Sequence, residues 1–122
     1  MKGARVNAAS SIQNAPVFRV LADVTVTNGI VDGRGPVSGE GGINCYAFIV
    51  GNSEIAGTLT ITGGTYRGVT SAISITNGTA NIKGGIFQAG HDEEGVDYGN
   101  QYLLNCMDSA YKNGTAKFNI RW

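Results

Sequence analysis

GTLTITGGTYRG at residues 57–68 lies over GTANIKGGIFQAG at 78–90: both open on Gly-Thr, carry a central Ile, and then place Gly-Gly and an aromatic at the same offsets. The offset is 21 residues, which fits one turn of a β-solenoid. A third copy, GTAKFNIRW (114–122), starts 36 residues after the second, and a weaker one, ADVTVTNGIVDG (22–33), starts 35 before the first. Each longer interval therefore reads as a standard rung plus an insertion.

Stacking the copies predicts an inward ladder. Val24, Leu59, Ala80 and Ala116 share one position, and Val26, Ile61, Ile82 and Phe118 share the position two residues on. Between them Thr25, Thr60, Asn81 and Lys117 point the other way, the period-two alternation of a half-buried strand. After the Asn28-Gly29, Gly63-Gly64 and Gly84-Gly85 corners comes a second ladder of Val31, Tyr66 and Phe87. An apolar strand precedes each Gly-Thr corner: YAFIVG (46–51), SAISITNG (71–78) and YLLNCMD (102–108). Each rung then has three faces, and stacked rungs pair equivalent strands in parallel. The expected fold is all-β, a right-handed parallel β-helix of about four to five rungs with two loop insertions. Residues 17–122 form the domain, preceded by a segment 1–16 that reads as an arm or as a loose terminus.

Other architectures fit less well. Across 57–88 a helix would bury Gly, Thr and β-branched residues in its interior, Gly alone costing about 1 kcal/mol relative to Ala. An antiparallel sandwich has support from Asn-Gly at 28–29, 77–78 and 113–114, a strong hairpin signal. Hairpins, however, have no reason to repeat corner chemistry at a 21-residue interval.

Composition narrows the partners. The 122 residues include 19 Gly and only 2 Pro without a three-residue period, which excludes collagen, and 42 % apolar content supplies a core. Nine Lys+Arg against nine Asp+Glu leave no formal net charge, so nucleic acid is not expected. The longest uninterrupted apolar run, Tyr46 to Val50, falls far short of the roughly 20 residues a membrane span needs. The N-terminal stretch lacks the apolar centre of a secretory signal. Cys45 and Cys106 lack zinc-site spacing and are expected as small buried hydrophobes.

Recognition is expected where the chain leaves the column, in Gly33 to Asn44 and in Gln88 to Gln101. The second insertion holds His91, Asp92, Glu93, Glu94, Asp97 and Tyr98, the candidate ligand contacts, with Tyr98 the favoured one. It lacks the spacing of an EF-hand, so it reads as a solvated acidic loop with no metal. No cofactor is expected either. Its carboxyls have no source of the unequal environments a glycosidase pair needs. On the outward rows Asp32, Arg67 and Gln88 align, and Asp32 with Arg67 reads as an ordinary surface ion pair. No catalytic residue is assigned. The last rung closes on Phe118, Ile120 and Trp122 with no polar cap after it, which makes these the candidate subunit contacts. A homo-oligomer, a docked neighbour or a fragment of a longer protein would each cover that edge.

ITGGTYRG (61–68), NGTANIKGGIFQAG (77–90) and YLLNCMDSAYKNGTAKFNI (102–120) resemble repeats of right-handed β-helical proteins of gut bacteriophages and prophages, regarded as virion structural or fibre proteins. The resemblance spans about residues 46–120 and departs at Ile120-Arg121, where a Gly-Gly corner is expected. It implies a non-enzymatic virion part, such as a head fibre, capsid decoration or tail-fibre segment. Its partners would be further copies, with a trimer as one option, or other virion proteins, and its loops would face host glycans. The alternatives are a polysaccharide lyase or glycoside hydrolase of similar fold, and a secreted carbohydrate-binding module.

Overall fold

The computed structural model describes residues 4–7, 15–34, 45–90, 103–106, 110 and 112–121. Among them twelve strands succeed one another: β1 (Ala4–Asn7), β2 (Ala15–Val20), β3 (Asp23–Val26), β4 (Gly29–Asp32), β5 (Cys45–Val50), β6 (Gly57–Ile61), β7 (Thr65–Arg67), β8 (Ser71–Ile75), β9 (Gly78–Ile82), β10 (Ile86–Gln88), β11 (Leu104–Cys106) and β12 (Ala116–Ile120). They form three four-stranded sheets, ordered β1-β4-β7-β10, β2-β5-β8-β11 and β3-β6-β9-β12. The chain thus visits the first, second and third sheets in turn and then starts the next lap. All nine pairings are parallel, which removes the antiparallel alternative. The segment 1–16 contains β1, which pairs with β4, and the start of β2, which pairs with β5.

The 21-residue offset is the register itself. Leu59 partners Ala80 and Ile61 partners Ile82, while Val24 and Val26 partner Leu59 and Ile61. β6 alternates buried and half-buried residues along its whole length, because the sheet has one face on the core and one outward. Val26, Ile61, Ile82 and Leu59 are buried, joined by Phe48, Ile73, Val50 and Ile75 from the second sheet and Val31 and Tyr66 from the first. Burial of each large side chain stabilises by about 1.5–3 kcal/mol. Aromatics link the sheets: Phe18 stacks on Phe48 at 5.8 Å, Phe48 meets Tyr66 at 5.5 Å, and Tyr66 stacks on Phe87 at 5.4 Å between ring centroids. The Val31, Tyr66 and Phe87 ladder is in register as expected.

Two backbone positions explain the glycines at corners. Gly29, Gly64 and Gly85 turn the chain from the third sheet to the first with φ of 124°, 103° and 113°, values L side chains rarely adopt. At the entry to the third sheet, Gly78 lies over Gly57, and a Cβ on Gly78 would stand 2.0 Å from the Gly57 carbonyl oxygen.

The third Gly-Thr copy is displaced from its expected register. Phe118, not Ala116, partners Ala80; Ile120, not Phe118, partners Ile82; and Lys117 partners Thr79. Gly114 and Thr115 are used in a turn closed by the Thr115 N–H donating to Ala110 O, so the strand begins two residues later than the motif suggests. A shift of two keeps the inward residues inward. It sets the large Phe118 against the small Ala80, and Asn119 Nδ2 donates to Asn81 Oδ1 at 2.9 Å. The Arg121 N–H donates to Ile82 O just as the Lys83 N–H donates to Ile61 O. Ile120 therefore ends β12 and Arg121 aligns with Lys83, so the pair does not stand where the Gly-Gly corner falls.

Candidate functional site

The connections are unequal around a lap. Between the first and second sheets the chain needs only 68–70 after β7, yet 8–14 follow β1, 33–44 follow β4 and 89–103 follow β10. Three of the four connections at this corner are therefore long. The corner between the second and third sheets takes a smaller surplus, at 51–56 and 107–115. Both insertions expected from the spacing lie at the first of these corners, and part of the extra length lies at the second.

Beside that corner runs the outward row Asp32, Arg67 and Gln88, in register on β4, β7 and β10. Arg34 follows Asp32 by two residues and folds back on it: Nη2 reaches Oδ2 at 2.7 Å, Nε donates to Oδ1 at 2.9 Å, and the Arg34 backbone N–H donates to Oδ1 at 3.1 Å. Arg67 Nη1 lies 3.7 Å from Oδ2, and Arg67 Nε donates to Gln88 Oε1 at 2.6 Å. The Asp32 side chain is 3 % exposed, against 23 % for Arg34 and 22 % for Arg67. The expected surface ion pair is thus a buried carboxylate whose main partner is Arg34. Burial pushes this carboxyl up, but hydrogen bonds and charge from Arg34, with the charge of Arg67, hold it below the usual 3.8.

An open cleft of about 400 Å³ adjoins the row, lined by Arg34, Gly68, Phe87, Gln88, Ala89 and Leu103. Ala89 and Leu103 lie at either side of the acidic insertion, and Arg34 precedes the glycine-rich one. The cleft offers a guanidinium, a primary amide and an aromatic ring, which suits hydrogen bonding to a polar ligand with an apolar edge. Two cations against one carboxylate leave the Asp32 cluster one positive charge. A second cleft, of about 420 Å³, lies on the outward face of the third sheet, where Lys83, Lys117 and Arg121 surround Asn81 and Asn119.

His91, Asp92, Glu93, Glu94, Asp97, Tyr98 and Trp122 lie outside the described residues. Phe118 is half-buried against the core, and Ile120 is 54 % exposed at an inward position of the last lap. Cys106 is a free thiol, half-buried, and burial pushes its pKa up, away from nucleophilic use. Among the described residues no three of His, Cys, Asp and Glu are grouped to hold a metal ion. No helix among them is long and apolar enough to cross a membrane. Arg34 escaped the sequence reading because it sits inside a glycine-rich stretch; the available signal was its position two residues after Asp32, on the same side of an extended chain. No family model, curated protein or solved structure matches the chain.

Proposed function

We propose that the chain is a non-enzymatic structural module of a phage virion, built as a right-handed parallel β-helix that presents loops from one corner to host glycans. The observation that carries this reading is the gathering of the segments 8–14, 33–44 and 89–103 at one corner of the stack, with a smaller surplus, 51–56 and 107–115, at the next corner. Parallel ladders make a stiff support, and variable length gathered mainly at one edge suits a recognition surface on such a support. The virion assignment rests on the resemblance of ITGGTYRG and its companion repeats to phage β-helical proteins.

A non-catalytic role agrees with the state of Asp32. Held ionised by Arg34 and Arg67, it is a poor general acid at neutral pH, and Arg34 occupies both of its oxygens. Mass spectrometry of particles purified from a host carrying the coding region tests the proposal: the chain is expected as a stoichiometric particle component. Its absence from particles would reject the virion role. Depolymerisation of uronate polymers or neutral glycans, lost on changing Asp92 through Glu94, would replace it with an enzyme.

A further inference from the structure

Each sheet has two edges. β1, β2 and β3 lie at one end of the stack, and β10, β11 and β12 at the other. Four inward rows run from end to end and are apolar throughout: Phe18, Phe48, Ile73, Leu104; Val20, Val50, Ile75, Cys106; Val24, Leu59, Ala80, Phe118; and Val26, Ile61, Ile82, Ile120. Their middles are buried; at the ends Phe18 is 39 %, Val24 38 % and Ile120 54 % exposed, while Val20 and Val26 are buried. Between Phe18, Val20, Val24, Val26 and Phe48, with Arg19 at its wall, lies a mostly apolar hollow of about 130 Å³ at the first end.

One outward row adds a direction. It reads Asp23, Thr58, Thr79, Lys117, with opposite charges at its two ends. We infer that copies of this chain join head to tail, with β10, β11 and β12 of one copy pairing in parallel register with β1, β2 and β3 of the next. The inference rests on the lap-stacked reading of the fold. Continuing the rows through such a joint brings Phe118 to Val24 and Leu104 to Phe18, both exposed at the first end of the next copy, and sets Ile120 and Cys106 in line with its buried Val26 and Val20. It also sets Lys117 beside Asp23 and Asn105 beside Arg19. Every inward meeting is apolar against apolar, and no like charges meet in these rows. A head-to-head joint would instead set each end against itself and lose the Lys117 to Asp23 match. Because the joint uses two different surfaces and repeats by translation, it builds an open series and not a closed dimer.

Sedimentation velocity of the full chain at rising concentration tests this, with far-UV circular dichroism on every sample. The wild-type chain is expected to give a series of integral multiples of the protomer. Asp23→Lys and Lys117→Glu should each weaken association about three- to tenfold, as loss and reversal of a cross-strand charge pair does. Combining the two restores opposite charges and should recover the series. Ile120→Asp should remove it while the β-sheet signal remains. A chain that stays monomeric, or stops at a dimer, with its β-sheet signal intact would overturn the inference and leave the fold reading standing. So would a double exchange that fails to recover association. Loss of the β-sheet signal in the wild-type chain would instead refute the fold reading, and the joint with it.

Discussion

Ile61 and Ile82 are register partners on adjacent parallel strands, and neither has any exposed surface. Each should therefore behave as a core residue that also supports the other. Ile61→Ala and Ile82→Ala are each expected to cost about 2–5 kcal/mol in a urea unfolding experiment. Because the side chains share one row, the double variant should depart from the sum of the single losses by about 0.5 kcal/mol or more. Strict additivity would place them apart.

The Gly78 corner gives a backbone test. Its φ is 125°, and a Cβ there would collide with the Gly57 carbonyl of the lap below. Gly78→Ala is expected to lose about 3 kcal/mol or more, since a Gly-only conformation costs up to about that much before the collision is counted. At Gly114 a Cβ would meet nothing within 4 Å, so Gly114→Ala should lose only about 1–2 kcal/mol from its positive φ. Equal losses would contradict the close approach of laps at Gly78.

Acid should weaken the corner that carries the long segments. Desolvation raises the Asp32 pKa, but Arg34 and Arg67 together lower it further, so the folded value lies below the unfolded one. The stabilisation is then present above the unfolded pKa of 3.8 and is lost as pH falls through the folded value. Asp32→Asn should cost about 1.5–3 kcal/mol near neutral pH, in the range of charge-assisted hydrogen bonds. Melting temperature followed from pH 6 downwards should fall less steeply in the variant than in the wild type. Parallel acid limbs would show that Asp32 is not held by the two arginines.

Alkali should act on the core. Burial pushes the Tyr66 hydroxyl up to about 12 from 10.0, and that hydroxyl donates to Gly63 O. The folded state keeps its proton where the unfolded state loses it, so this stabilisation is complete below pH 10 and declines as pH rises towards 12. Tyr66→Phe should cost about 1 kcal/mol at neutral pH and flatten the alkaline decline. Ultraviolet titration should find one tyrosine in the wild-type chain that resists ionisation until about pH 12, and this late component should be missing from Tyr66→Phe.

The lap length and the central ladders were legible because Leu59, Ile61, Ala80 and Ile82 sit in uninterrupted strands with matching glycine corners. The last register was not. Gly114-Thr115 looks like Gly57-Thr58, and only the hydrogen bond from Thr115 back to Ala110, with the fit of Phe118 to Ala80, moves the strand by two residues. β1 was hidden for a related reason: Ala4–Asn7 has no Gly-Thr mark and gains its place by pairing with β4. The corner site was half legible. The row Asp32, Arg67 and Gln88 follows from the lap offset, but the burial of Asp32 depends on Arg34 folding back, which residue spacing alone does not specify.

Nuclear Overhauser contacts in the isotope-labelled chain test the stacking of laps most directly. Residues 57–61 should contact residues 78–82 at a constant difference of 21, with Leu59 meeting Ala80 and Ile61 meeting Ile82. Contacts across Asn77-Gly78 whose residue numbers keep a constant sum, joining 71–75 to 78–82 as a hairpin, would contradict the parallel stack and the function proposed from it.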